Sequence, residues 1–351
     1  MKRRSLSLFV LASLFIVSCS TPHGGKAEYR PPKFKHEYKA EISKLNDEIM
    51  LGNVTAMYLC DSVIIIYAQN TDNNNAFQVL SAKTGDFVGA FANSGRGEGE
   101  LTSFEMAAIN PEGSRLYAID QNSKLVCLNL AKAIYAKTGF VERSEHLFGR
   151  NTTMNLHAVS DTTFLHVEGW HDRHFITDAY FIDTLARYRD YPYISERFVN
   201  TGDSLITKMY FSYHTRSAIK PDRKKFVVAA YCGFVMQIFD IGTNSIDLEK
   251  TLYLYEPIMD DYIWGAKDCV KGPVDVAATD KYIYVLYGDT PELSAETIRM
   301  GVFDWNGKPV DCYTFDSMPY KLVVVPDDSR VYCWTQDEEG EEYLGYFDLE
   351  H

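Results

Sequence analysis

The chain has 351 residues, 46% of them hydrophobic and 14% aromatic, enough for one large domain or two ordinary ones. Its formal net charge is −13, and once Lys2, Arg3 and Arg4 are set aside, 32 basic residues face 48 acidic ones with no basic stripe among them. Binding to a phosphate backbone needs a positive face, so nucleic acid is excluded as a partner, and the charge mainly favours solubility.

The first residues, Met1-Lys2-Arg3-Arg4, are basic, and an apolar stretch runs from Leu6 to Val17. It is too short to span a bilayer and has the flanks of a secretory signal. Its ending, Ile16-Val17-Ser18-Cys19, resembles a bacterial lipobox, in which the peptide is cut before the cysteine and the thiol is acylated. The resemblance implies a signal peptide over 1–18, lipidation of Cys19 and a membrane as the first partner. Acyl chains anchor through about 0.8 kcal/mol for each buried methylene. Ser20 rather than Asp follows the cysteine, which in the lipoprotein pattern implies the outer membrane, with the protein facing the periplasm or the surface. Residues 19–33 are rich in Pro, Gly and Lys without an apolar period and read as a lipidated, flexible tether. The folded domain is expected over 34–351.

Beyond the tether, runs rich in Val, Ile, Tyr and Phe alternate with turn residues, and helical periodicity is scarce. One feature recurs: a turn followed by an apolar strand. It begins at Asp61, Gly113, Asp161, Asp222, Asp280 and Asp328, at spacings of 52, 48, 61, 58 and 48 residues. Each is accompanied by a later strand pair with its own turn, as in Phe77–Val88, Val235–Asp240, Arg299–Gly307 and Glu342–Asp348. Four short antiparallel strands in roughly 50 residues is the repeat length of a propeller blade. The fold expected is all-β, a six-bladed β-propeller. The last unit stops one strand short. Residues 34–43, with Phe34, Tyr38 and Ile42 in even steps, can supply that strand from the N-terminus and so remove an open sheet edge.

Phe91-Ala-Asn-Ser-Gly-Arg-Gly-Glu-Gly-Glu-Leu-Thr-Ser-Phe104, followed by Ile109-Asn-Pro-Glu-Gly-Ser-Arg-Leu-Tyr-Ala-Ile-Asp120, resembles the NHL-type propeller repeat. With the lipobox and the six units, the chain is similar to the TolB-like six-bladed propeller lipoproteins of Gram-negative bacteria. The sharp part of that likeness is the stretch 95–100, which the other units lack. The family has no common reaction, so the resemblance implies architecture more than activity.

In a propeller, connections between the first two and the last two strands of a blade share one face. Here they are tight Pro/Asp/Gly turns such as Asn110-Pro-Glu-Gly and Lys220-Pro-Asp-Arg. The opposite face takes the long connections 94–103, 142–155, 168–174, 189–215, 256–273 and 288–297, and long loops on a rigid scaffold commonly carry function. Among them, Arg96 with neighbouring amides could hold an anion, or its glycines could serve the turn alone. Trp170, His171 and His174 crowd the loop 168–174. The two histidines would need a further ligand to hold a metal, and no metal or cofactor is implied. Trp264 stands in an aromatic and acidic loop suited to a glycan or a protein partner. Innermost strands starting near Glu105, His157, Arg216, Asp275 and Lys321 would put a mixed-charge ring at the channel mouth if their register turns them inward.

Gly202-Asp-Ser-Leu205 and Asp348-Leu-Glu-His351 match blocks of the GDSL hydrolases, but there the serine follows the first strand of an α/β fold. Geometry rather than spacing makes a triad. Six cysteines follow Cys19 without a C-x-x-C, and both disulfides and buried free thiols remain open. Two functions survive: a non-catalytic binding propeller recognising a protein, peptide or glycan on its long-loop face, and an enzyme, such as a metal-dependent lactonase-like hydrolase or a lyase, at the channel mouth. Cys19→Ser is expected to move the chain from the membrane pellet to the soluble fraction and to abolish labelling by a fatty-acid probe. A variant still in the pellet after a high-salt wash would dismiss the lipid anchor.

Overall fold

The computed structural model describes residues 27–350 except 47–50, 70, 72, 94, 96–99, 102–103, 121–123, 138, 147–154, 169–171, 193–212 and 259–266. Cys19 lies outside them. Two strands come first, β1 (His36–Ala40) and β2 (Ser43–Asn46). Blade 1 follows as β3 to β6 (Asn53–Cys60, Val63–Gln69, Asn75–Ser81, Phe87–Asn93), and blade 2 as β7 to β10 (Phe104–Ile109, Arg115–Asp120, Lys124–Asn129, Val141–His146). Blade 3 is β11 to β14 (Asn155–Ala158, Thr163–Val167, His174–Asp178, Thr184–Tyr188), and blade 4 is β15 to β18 (Thr215–Ile219, Lys225–Ala230, Phe234–Ile241, Ile246–Tyr255). Blade 5 is β19 to β22 (Pro273–Ala278, Tyr282–Gly288, Ile298–Asp304, Pro309–Phe315), and blade 6 contributes β23 to β25 (Met318–Val324, Arg330–Gln336, Glu342–Asp348). Each blade is an antiparallel sheet in sequential order, and the whole is a six-bladed propeller.

The N-terminus closes blade 6, as the missing strand required. The closing strand is β2, antiparallel to β25, with Ser43 opposite Tyr346. The stretch just before it does something the alternation did not reveal. β1 adds to blade 5 as a fifth, parallel strand along β22, with His36 opposite Asp311. The three evenly spaced apolar residues all find partners. Phe34 meets Phe303 edge-on with ring centroids 5.4 Å apart, Tyr38 stacks on Tyr313 at 5.2 Å, and Ile42 sits where a side chain on Gly345 would be. On the other side of the closure, Asn46 donates to the Gly85 carbonyl at 2.9 Å. A Cβ on Gly85, whose φ is +75°, would collide with the Leu45 carbonyl.

The recurrent turns have one geometry where Pro stands second. In Asn110-Pro-Glu-Gly113, Lys220-Pro-Asp-Arg223 and Val325-Pro-Asp-Asp328, the fourth residue donates to the first at 3.0, 2.8 and 2.9 Å. That residue is left-handed in each, with φ of 67°, 60° and 61°. Proline presets the first turn dihedral, and the left-handed residue returns the chain to the sheet. One connection on this face is longer: between β9 and β10, a π-helical turn at Lys132–Ala136 packs Ala133 and Ile134 against blade 1.

The apolar core lies between blades rather than at one centre. Ile65, Phe77 and Val79 meet Leu116 and Val126 across blades 1 and 2. Leu165 and Val167 meet Phe226 and Phe239 across blades 3 and 4. Ile64, Ile66 and Leu80 meet Trp334 and Leu344 across blades 6 and 1. β-Branched and aromatic residues suit such two-sided burial.

A polar link recurs at the blade junctions. Tyr117 of blade 2 donates to Asp161 Oδ1 of blade 3 at 3.1 Å, and Tyr284 of blade 5 donates to Asp328 Oδ1 of blade 6 at 2.8 Å. Both aspartates open the repeated turn-plus-strand unit. Asp328 also accepts from Thr279 Oγ1 at 2.6 Å and is 1% exposed. Asp328→Ala is therefore expected to destabilise the protein by about 2–4 kcal/mol, through two stranded donors and a left-handed alanine. Asp328→Asn, which still accepts and tolerates that backbone, is expected to cost about 1 kcal/mol or less. Denaturant unfolding checks both, and equal losses would dismiss the junction as the cause.

Candidate functional site

The innermost strands β3, β7, β11, β15, β19 and β23 surround a channel with a volume of about 480 Å³. His157, Arg216, Asp275 and Lys321 all line it. The register explains how they reach it. β3, β7, β19 and β23 each carry a bulge near their start, whose extra residues are Thr55, Glu105, Val274 and Tyr320. A bulge re-aims the side chains that follow it. Asp275 and Lys321 come one place after the bulged residue, whereas Glu105 is itself the bulged residue. Met106 is therefore the counterpart of Asp275 in blade 2. His157, opposite Leu165, sits two places further along its strand than Asn155, which lies opposite Val167.

The channel's polar side chains reach sideways to the next blade. His157 Nε2 lies 2.8 Å from Ser217 Oγ, and Asn155 Nδ2 donates to the Thr215 carbonyl at 3.2 Å, both joining blade 3 to blade 4. Arg216 Nε donates to the Val274 carbonyl at 2.9 Å, joining blade 4 to blade 5. Asp275 Oδ2 accepts from the Leu322 backbone N–H at 2.9 Å, and its Oδ1 lies 3.8 Å from Lys321 Nζ, joining blade 5 to blade 6. Tyr58 donates to the Ala107 carbonyl at 3.0 Å between blades 1 and 2. Tyr58, Asn155, Ser217 and Arg223 were not singled out in the sequence.

Burial dominates the electrostatics. It pushes His157 down to about 3, with the Arg223 guanidinium acting in the same direction. It also lowers Lys321, against the opposing pull of Asp275. The imidazole is therefore neutral at physiological pH, and its bond with Ser217 is one between uncharged groups.

Arg96, Trp170, His171, Trp264, the stretch 202–205 and His351 lie outside the described residues, so the two GDSL-like blocks gain no geometry here. His174 is not on the tip of its loop. It is the first residue of β13, fully buried, with its ring edge-on to Phe226 at 5.5 Å and to Phe239 at 5.0 Å. Burial lowers its pKa well below the usual histidine value. Beside it, Arg173 Nε donates to Glu168 Oε1 at 3.1 Å and Arg173 Nη1 to Gln237 Oε1 at 2.6 Å, all three residues being buried. Burial pushes the Glu168 carboxyl up to about 7 against the pull of that guanidinium. This cluster ties the start of the 168–174 loop to blade 4. Among the described residues, no three His, Cys, Asp or Glu side chains stand together so as to hold a metal ion.

The chain is similar to several solved structures. Hydrazine synthase of Kuenenia stuttgartiensis is 15% identical with a TM-score of 0.48, over 82% of this chain and 74% of that one. The C-terminal WD40 domain of Sif2 is 9% identical with a TM-score of 0.44, over 85% and 82%. The β-propeller domain of Myceliophteria thermophila Cps50 (Swd1) is 9% identical with a TM-score of 0.46, over 86% and 99%. No curated protein matches the sequence. The family model described as TolB-like 6-blade propeller-like matches residues 33–327. With six four-stranded blades around a polar channel, the chain belongs to the TolB-like six-blade propeller family.

Proposed function

We propose that the protein is a membrane-anchored binding propeller of the cell envelope, lipidated at Cys19, that recognises a protein, peptide or glycan on its long-loop face. The observation that carries this reading is the commitment of the channel side chains. His157, Arg216 and Asp275 each bond to the inner strand of the next blade. Their work is to hold the ring, which leaves recognition to the long loops that bear Trp170, His171 and Trp264. Aromatic side chains on such loops supply contact area at low entropic cost.

One observation favours the second reading, an enzyme of the channel. His157 and Ser217 stand at hydrogen-bonding distance, as a general base and a nucleophile would. Against it, an efficient base titrates near its working pH, whereas burial holds His157 at about 3. Among the described residues no carboxylate bonds its other nitrogen to orient it, as a triad requires.

Two measurements test the proposal. Retention of solubilised envelope proteins and of arrayed peptides and glycans is expected to fall about tenfold or more in the Trp170→Ala, Trp264→Ala double variant. It is expected to be unchanged in Ser217→Ala. The reverse pattern would overturn the loop-face reading.

The second measurement is acid stability. His157 has a lower pKa folded than unfolded, so the unfolded chain binds more protons between the two values. Its contribution is complete above the ordinary histidine value of about 6.5 and is lost as the pH falls toward about 3. His157→Gln, which can still bond Ser217, is expected to keep neutral-pH stability within about 1 kcal/mol and to shallow the acid limb. An unchanged acid limb together with loss of a hydrolytic turnover would favour the enzyme.

A further inference from the structure

Four of the six cysteines after Cys19 lie in strands: Cys60 in β3, Cys127 in β9, Cys312 in β22 and Cys333 in β24. The other two meet. Cys232 occupies the short turn between β16 and β17 of blade 4, and Cys269 lies in the connection from β18 to β19. The two segments form a short antiparallel bridge, with Cys232 opposite Lys271. Gly233 donates to the Val270 carbonyl at 3.0 Å, and Gly272 donates to the Tyr231 carbonyl at 2.8 Å. Both glycines are needed: Gly233 has a φ of +69°, and a Cβ on Gly272 would collide with the Gly233 carbonyl. The bridge sets the sulfurs 3.7 Å apart, both buried, with Ile258 packed against them.

The surroundings of Cys269 favour its thiolate. The thiol of Cys232 and the backbone N–H groups of Ile258, at 3.3 Å, and Gly233 point at its sulfur, and Lys271 is close by. Together they draw it down to about 7, with the Cys232 thiol as the largest cause. Burial does the opposite elsewhere. It pushes Cys60 up to about 12 and Cys312 up to about 11, and it raises Cys127 and Cys333. A thiolate is the nucleophile in thiol–disulfide exchange. Among the described cysteines, Cys269 is thus the one whose thiolate is favoured, with a second thiol in contact with it, while burial keeps the other four protonated.

We infer that Cys232 and Cys269 are a redox pair that closes into an intramolecular disulfide by exchange with a small-molecule disulfide such as oxidised glutathione. In the first step, the Cys269 thiolate attacks one sulfur of the small disulfide, forms a mixed disulfide and releases one small thiolate. In the second, Cys232 gives up its proton and attacks the Cys269 sulfur, and the second small thiolate leaves. The two cysteines lose two electrons, the small disulfide gains them, and the two protons end on the released thiols. Bonded sulfurs stand about 2.0 Å apart, so closure draws the pair together by roughly 1.7 Å. The bond would tie the blade 4 turn covalently to the connection between blades 4 and 5, on the long-loop face.

The test is refolding of the reduced full chain in a glutathione redox buffer, followed by acid quenching, alkylation and peptide mass mapping without reductant. The expected product joins the Cys232 and Cys269 peptides, with Cys60, Cys127, Cys312 and Cys333 alkylated. Its mass is lower by two hydrogens. Cys232→Ser removes the resolving thiol, so glutathione is expected to remain on Cys269 in a chain whose far-ultraviolet circular dichroism is that of the parent. Cys60→Ser is expected to leave the link unchanged. Full alkylation of both cysteines at every redox ratio would overturn the inference. So would a dominant link to any of the other four, or glutathione persisting on the parent chain.

Discussion

Closure of the ring is the constraint on which everything else in this molecule depends. β2 pairs with β25, so hydrogen bonds join the N-terminal segment to the last blade. Without it, β25 would present a row of unpaired backbone donors and acceptors, the open edge that sheet proteins avoid. The consequence extends beyond one strand, because each apolar slab is shared by two blades. Trp334 and Leu344 of blade 6 are buried in one cluster with Ile64, Ile66 and Leu80 of blade 1. Opening that seam would wet both faces at once. Asn46 and Gly85 hold the same seam on the tight-turn face, one through a hydrogen bond and the other by lacking a side chain.

The inner strands meet the same requirement with polar groups. Strands converge on the channel, and their side chains face neighbours from the adjoining blades as well as the open axis. A buried polar group must be bonded or it costs stability. His157, Arg216 and Asp275 satisfy this by bonding across the blade boundary. Burial also lowers the His157 pKa to about 3, so the imidazole that meets Ser217 is neutral. By contrast, the sulfur pair at Cys232 and Cys269 lies where two connections touch, and there the Cys232 thiol, backbone N–H groups and Lys271 favour the Cys269 thiolate.

Much of this was legible from short stretches. The six turn-plus-strand units are the second strands β4, β8, β12, β16, β20 and β24 with the turns before them. They were readable because a turn and an alternating strand are encoded within about a dozen residues. The N-terminal apolar triplet Phe34, Tyr38 and Ile42 also announced a closing role. What it could not announce was its division between two blades, with β1 parallel to β22 of blade 5 and only β2 closing blade 6. Even spacing says that one face is buried but not against which sheet. The channel was half legible. His157, Arg216, Asp275 and Lys321 were found, but the bulges at Thr55, Glu105, Val274 and Tyr320 shift the strand by one place, and no local pattern marks a bulge.

The sequence by itself determined the blade count, the turn chemistry, the blade period and the sign of the charge, because each depends on residues close together in the chain. Only the tertiary structure decided which side chains meet. His157 with Ser217, Tyr284 with Asp328, and Cys232 with Cys269 are 60, 44 and 37 residues apart. Each pair comes together through the packing of one blade or connection on the next. That packing is set by the summed burial of the apolar slabs, which no short stretch of chain contains.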